Sequence, residues 1–166
     1  MAPTWLLIMC EIAVIGTMLV SGLFLTFSSF LMRSLALSQT AAGIEVMQVI
    51  NREIWKSIFI ALLWGFILIT AGLAGYAYLY IPGPATTYMI TGAALYFFGV
   101  FVLSYLFNIP MNNHLDALAY DSNQAATYWR NTYLPRWTFW NYLRALTSGG
   151  AAICFLAATA LLAQGG

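Results

Sequence analysis

The sequence predicts an all-α fold: an integral membrane bundle of four transmembrane helices, a single domain over residues 1–166, with short amphipathic helices in its two polar connections. Three observations predict it. The chain is 62% hydrophobic and only 7% charged, with a mean hydropathy of +0.82, whereas soluble domains carry about 25% charged residues; a water-soluble fold of this size has no interior large enough for that apolar surface. From Ser57 to Asn113 no Asp, Glu, Lys, Arg or His occurs. The six basic residues, Arg33, Arg52, Lys56, Arg130, Arg136 and Arg144, all flank one side of the membrane that the helix pattern defines. By the positive-inside rule the connections 33–56 and 108–136 are cytoplasmic and both termini face outward. In a bacterium that places the chain in the inner (plasma) membrane.

The first helix is expected over about 5–32. At ~1.5 Å per residue it exceeds the ~30 Å hydrocarbon thickness and must tilt or project. It has no basic n-region and is too long for an h-region, so it reads as a retained span rather than a cleaved signal. Glu11 lies within it, an ionisable group at membrane depth and therefore a candidate for function or for a protonated, interfacial position. Gly22, Thr26 and Ser29 recur at the small-residue spacing that lets membrane helices approach closely. Thr40 to Trp55 reads as a short amphipathic helix with Ile44, Met47, Val49 and Ile50 on its apolar side. The second span is expected over 57–80, ended by Ile81-Pro82-Gly83-Pro84, with Tyr76, Tyr78, Tyr80 and Tyr88 as an interfacial belt. The third runs over 87–107 and the fourth over 137–163. Between them, Asp121-Ser122 marks a helix start, and Trp129, Tyr133 and Trp137 share a face if Pro135 leaves the helix intact.

Chemistry concentrates where the third span ends, at Phe107-Asn108-Ile109-Pro110-Met111-Asn112-Asn113-His114-Leu115-Asp116. Pro110 removes a backbone donor and disfavours helical geometry at Ile109, so the helix is expected to bend or stop there. Polar groups at such a break are costly in lipid unless they face protein, water or a ligand. The fourth span opens with Trp137, Trp140, Asn141 and Arg144, whose spacings of three, four and seven place them on one helical face. Arg144 lies about two turns inside; a permanent cation there needs an acidic partner, an anionic ligand or water. The topology brings this face together with Asn51-Arg52, the 108–114 stretch and the Ser/Thr end of the first helix. The result is an aromatic-walled pocket with Asn amides and arginines, suited to a flat, partly anionic molecule.

Other chemistries lack their residues. Net charge is +1, with no basic face for nucleic acid. Cys10 and Cys154 are the only cysteines; both lie in apolar segments and read as packing residues. One histidine and scattered carboxylates show no metal-ligand spacing, so no metal and no other cofactor is expected. No nucleophile elbow or phosphate-cradling glycine loop occurs.

The stretches FLTFSSFLM, GIEVMQVINR, FNIPMNN and RWTFWNYLR together make the chain resemble the anthrone oxygenase-like family of small four-helix membrane proteins. The resemblance implies oxidation of an anthrone to an anthraquinone by O2 without an obvious cofactor. Its matched positions are Asn51, Arg52, Asn108, Asn112, Asn113, Trp137, Trp140, Asn141 and Arg144. On this reading Arg144, Asn112, Asn141, Arg52 and His114 are the candidate catalytic residues: the arginines stabilise the substrate anion, and His114 or an Asn-held water takes the proton. Asn51, Asn108, Asn113, Trp137 and Trp140 are the candidate substrate contacts. The expected partners are the bilayer and a small aromatic or quinone-like molecule, with a homo-oligomer or a larger membrane complex as the wider assembly. A non-catalytic small subunit, or a lipid- or quinone-binding module, is the alternative.

Overall fold

The computed structural model describes residues 2–164. Four helices are long and apolar enough to cross a membrane: α1 (Thr4–Leu37), α3 (Ile58–Tyr80), α4 (Pro84–Asp116) and α5 (Asn123–Ala163). A shorter helix, α2 (Thr40–Glu53), lies between α1 and α3. No strand occurs among the described residues. Around the bundle α1 packs extensively on α5, α5 on α4 and α4 on α3; the seam between α1 and α3 is the thinnest of the four.

The turn between α3 and α4 follows directly from its residues. Gly83 takes φ 101°, the one positive φ among the described residues, and Pro84 begins α4, where its missing N–H costs nothing. Tyr76 packs edge-on against Trp5 at 4.8 Å and lies 5.0 Å from Tyr80, while Tyr78, Tyr80 and Tyr88 are exposed around the same end.

Three apolar layers stack along the bundle. Leu6, Cys10, Met89 and Phe155 fill the end that holds the turn. Val20, Phe66, Tyr96 and Val100 fill the middle. Met32, Ile44, Met47, Leu115, Trp129 and Tyr133 close the other end. Helix α2 seals that last layer: Ile44 and Met47 are buried, while Val46 and Val49 remain exposed. Gln48 clamps it in place, its Nε2 donating to the carbonyls of Leu115 at 2.7 Å and Leu118 at 2.9 Å. Those carbonyls lie at and just beyond the C-terminal end of α4, where helical donors run out.

Close approach between helices uses other small residues than the ones the sequence singles out. Gly22 is exposed with nothing near the position of an added Cβ, because the Gly22 side of α1 faces away from the bundle. The contact face lies at Gly16, Thr17 and Ser21. Ser21 Oγ donates to the Ala145 carbonyl and Ser148 Oγ to that of Thr17, both at 2.7 Å, stitching α1 to α5. Gly99 fits against the Thr147 side chain.

The helix stops neither at Pro110, where a bend or stop is expected, nor at Pro135, where the sequence leaves continuity open. Helix α4 runs on through Pro110 to Asp116, and α5 begins at Asn123 and runs through Pro135. The reason is the same in both. A π-helical stretch, Ser104–Asn108 before Pro110 and Trp129–Tyr133 before Pro135, widens the helix just ahead of each proline. A wider turn moves the preceding carbonyl away from the pyrrolidine ring and leaves no i→i−4 donor to lose. Ser122 caps the start of α5, its Oγ accepting from the Ala125 N–H at 3.1 Å.

Candidate functional site

The π stretches that hold Ser28, Ser104, Asn108 and Tyr133 lie around one region near the α2 end of the bundle. In α1 the widening falls at Phe27–Leu31 and in α4 at Phe97–Val102 and Ser104–Asn108. Such bulges are frequent at functional sites, where they re-aim side chains that an unbroken α-helix would spread around its surface.

At the centre is Arg144, 7% exposed. Its Nη1 donates to Ser104 Oγ at 2.9 Å, and its Nη2 donates to Asn141 Oδ1. The guanidinium carbon lies 4.3 Å from the centre of the Phe24 ring and 5.7 Å from that of Trp137, so aromatic faces supply part of its stabilisation. Its Nε–H is buried without a partner. The ion pairs among the described residues are Arg52–Asp116 and Lys56–Glu53; no carboxylate meets Arg144. Asn141, fully buried, is fixed by two donations from its Nδ2 at 2.6 Å, to the Phe24 carbonyl and to Ser28 Oγ. Its Oδ1 is thereby aimed at Arg144.

A second network adjoins the first. Asn112 Oδ1 accepts from the Tyr133 hydroxyl and from the Trp137 indole N–H, both at 2.8 Å. Asn51 Nδ2 reaches the Tyr133 oxygen at 3.4 Å. Trp129, Tyr133 and Trp137 form a continuous stack, with centroids 5.3 and 6.0 Å apart and interplanar angles of 17° and 19°. Pro135 does not break it.

Between these networks lies a half-open cavity of about 90 Å³. Asn51, Ser104, Asn112, Trp137, Asn141 and Arg144 line its polar side; Phe24, Phe27, Met47, Phe59, Leu63 and Trp64 are among its apolar walls. The outer rim, Leu23 from α1 with Ile54 and Trp55 just before α3 and Ile60 in its first turn, falls on the thin α1/α3 seam. Its volume is below the ~300 Å³ of an ordinary ligand pocket, so a tricyclic molecule occupies it only with the rim displaced or with part of its body in the seam.

The structure thus brings Asn51, Asn112, Trp137, Asn141 and Arg144 to one cavity and leaves the other candidates outside it. Asn108 is buried beside it: its Nδ2 donates to the Trp137 carbonyl at 3.2 Å, and its Oδ1 has no partner. Arg52 is on the surface, its Nη1 2.6 Å from Asp116 Oδ1. Asn113 and His114 are exposed; the imidazole stands edge-on to Tyr128 at 4.4 Å. Trp140 leaves the expected face and stacks flat on Phe107 at 3.7 Å. At ~100° per residue it lies a quarter-turn or more from Asn141, so the arc that holds Trp137, Asn141 and Arg144 excludes it. Glu11 is exposed on the outer side of α1. Cys10 and Cys154 are free thiols. No group of three His, Cys, Asp or Glu side chains comes together among the described residues.

Sequence reasoning overlooked Ser104, Tyr133 and Phe24. Ser104, Asn108 and Asn112 are spaced by four, as are Tyr133, Trp137 and Asn141, and as are Phe24 and Ser28. That spacing was the available signal.

No curated protein and no solved structure matches the chain. The sequence profile of the family described as anthrone oxygenase matches residues 55–154, well over half of it. FNIPMNN and RWTFWNYLR, with the cavity residues Ser104, Asn112, Trp137, Asn141 and Arg144, fall inside the match, whereas FLTFSSFLM and GIEVMQVINR precede it. The chain belongs to the anthrone oxygenase family.

Proposed function

We propose that the protein is a membrane-embedded oxygenase that oxidises an anthrone or a related phenolic substrate with O2, without a resident cofactor. One observation carries this reading: Arg144 is a buried cation with no carboxylate partner, set against an aromatic-walled cavity. Burying an unpaired charge in a lipid-embedded bundle is costly, and an anionic ligand offsets that cost. The conjugate base of an anthrone is such an anion, flat and with its charge spread over oxygen and the ring carbon.

In this reading the substrate oxygen sits against Arg144, and its rings lie among Phe24, Phe59 and Trp137. A water held by Asn51 and Asn112 takes the proton from the ring CH2. The resulting carbanion gives its electrons to O2 and forms a C–O bond; the peroxide oxygen takes up a proton; loss of water with the second ring hydrogen leaves the new C=O. One oxygen atom ends in the product and the other in water. Arg144 stabilises the anion from which this begins, on the scale of the about 3–4 kcal/mol that one well-placed oxyanion donor contributes in a dry site. Asn141 and Ser104 hold the guanidinium, while His114 and Arg52 stay outside the contact. A lipid-dissolved substrate reaches the cavity through the α1/α3 seam.

Orientation follows the charges: the α2 end and both basic connections face the cytoplasm, the termini and the Pro-Gly-Pro turn face outward, and in a bacterial cell the membrane is the inner one.

The test is turnover by the purified protein in detergent or nanodiscs, given emodin-type anthrones under air, with anthraquinone read by absorbance. Arg144→Ala should cut the rate at least tenfold while the protein still elutes as a folded species. Unchanged turnover removes Arg144 from the mechanism. Tight binding of quinones with no turnover in the wild type would favour a quinone-binding module instead.

A further inference from the structure

A second cavity, about 240 Å³, opens on the other side of α5 and shares no lining residue with the first. Its floor is the flat Phe107–Trp140 stack, with centroids 3.7 Å apart and planes inclined by 4°. Leu106, Pro110 and Met111 form the α4 wall; Tyr128, Thr132 and Arg136 form the α5 wall. Beside it Tyr105, Leu106 and Phe139 are large, apolar or aromatic, and exposed, as side chains facing acyl chains are. Arg136 is exposed and takes part in no ion pair or hydrogen bond among the described residues. The Tyr128 and Thr132 hydroxyls likewise have no side-chain hydrogen-bond partner there. All six basic residues lie toward this half of the molecule, and Arg136 is eight residues, or ~12 Å, from Arg144 along α5. That is the separation expected between a buried site and the headgroup layer.

We infer that this groove is a binding site for one anionic phospholipid. The phosphate lies between Arg136, Thr132 and Tyr128, and the upper acyl chain lies over the Phe107–Trp140 floor and on past Leu106. Charge complementarity selects the occupant: one free guanidinium and two hydroxyl donors fit a phosphodiester, and the Arg136 cation repels the ammonium that a zwitterionic headgroup carries beside its phosphate. A basic notch floored by aromatic rings at the level of the headgroups is where Trp and Tyr are stable in their own right. The site is independent of the oxidation proposed above, since none of its lining residues touches the Arg144 cavity.

The experiment is native mass spectrometry of the full chain in detergent, mixed in turn with phosphatidylglycerol, phosphatidylcholine and inorganic phosphate. The wild type should retain one phosphatidylglycerol in preference to phosphatidylcholine. Arg136→Gln should lower that retention about fivefold, and Trp140→Ala should lower it as well through the lost floor. Arg33→Gln, which removes another exposed cation from the same side, should leave it unchanged. Equal retention of the two lipids, or no effect of Arg136→Gln, overturns the proposal. So does an equal loss with Arg33→Gln, which would indicate diffuse surface charge. Retention of inorganic phosphate as firm as that of phosphatidylglycerol would make the groove a small-anion site and also overturn it.

Discussion

At the scale of single residues, the site is held by a few amide and hydroxyl groups whose partners are unambiguous. Asn112 is the shared acceptor for Tyr133 and Trp137. Asn112→Leu orphans both donors, and each orphaned buried group costs about 1–3 kcal/mol. Tyr133→Phe removes one donor and leaves the indole bond intact, a loss of about 1 kcal/mol. Thermal unfolding in one detergent should therefore rank Asn112→Leu below Tyr133→Phe, and Tyr133→Phe slightly below wild type. Equal midpoints for the two variants would mean that Asn112 does not hold the pair. Arg144 obeys a different rule. Arg144→Met deprives Asn141 Oδ1 and Ser104 of a donor but also removes a buried charge whose desolvation costs several kcal/mol. The opposing effects should leave stability within about 2 kcal/mol of wild type. A collapse of the fold in that variant would make Arg144 a structural residue. In the sequence, Arg144, Asn141, Asn112, Asn51 and Trp137 were legible as a group, because polar residues inside apolar helices are few and their spacing is readable. Trp140 was grouped with them by its three-residue spacing from Trp137, and Asn113, His114 and Arg52 by proximity along the chain. A helix turns a neighbour ~100° away, and that rotation takes Trp140 to Phe107 and His114 to Tyr128.

At the scale of the elements, the four spans were legible from hydropathy alone, while their ends were not. The sequence allowed a bend or a stop at Pro110 and left continuity through Pro135 open; a π stretch ahead of each lets the helix continue. Nothing in composition announces a π turn, since it is a response to packing on the neighbouring helices. The same holds for the glycines: which of them meets a neighbour depends on helix rotation. An added Cβ at Gly99 falls 2.1 Å from Thr147 Oγ1 and 2.2 Å from its Cβ, and a β-branched side chain has little freedom to yield. Gly99→Ala should thus destabilise the bundle by more than about 1 kcal/mol. At Gly22, where the space is open, Gly22→Ala should be neutral or stabilise by up to about 1 kcal/mol through helix propensity. Unfolding midpoints of the two variants compare these directly; a reversed order would place the α1 and α4 faces elsewhere.

At the scale of the whole molecule, the four helices form a ring of contacts with one thin seam, and the cavity opens on that seam. On the orientation proposed from the charge bias, the cavity lies toward the cytoplasmic leaflet. With Cys10 and Cys154 replaced by Ala, Asp121→Cys should react with an impermeant maleimide only in inverted vesicles, and Thr87→Cys only in right-side-out ones. The opposite pattern would invert the proposed topology. The proposed oxidation requires that the cavity around Arg144 receive the anion of a flat aromatic molecule. The most direct measurement compares the Kd of a polycyclic phenolate with that of its neutral methyl ether, on wild type and on Arg144→Met. The wild type should prefer the phenolate by tenfold or more, as expected for about 1.5–3 kcal/mol from a hydrogen bond to a charged group, and the variant should lose that preference while still binding the ether. Equal preference in both proteins would contradict the account.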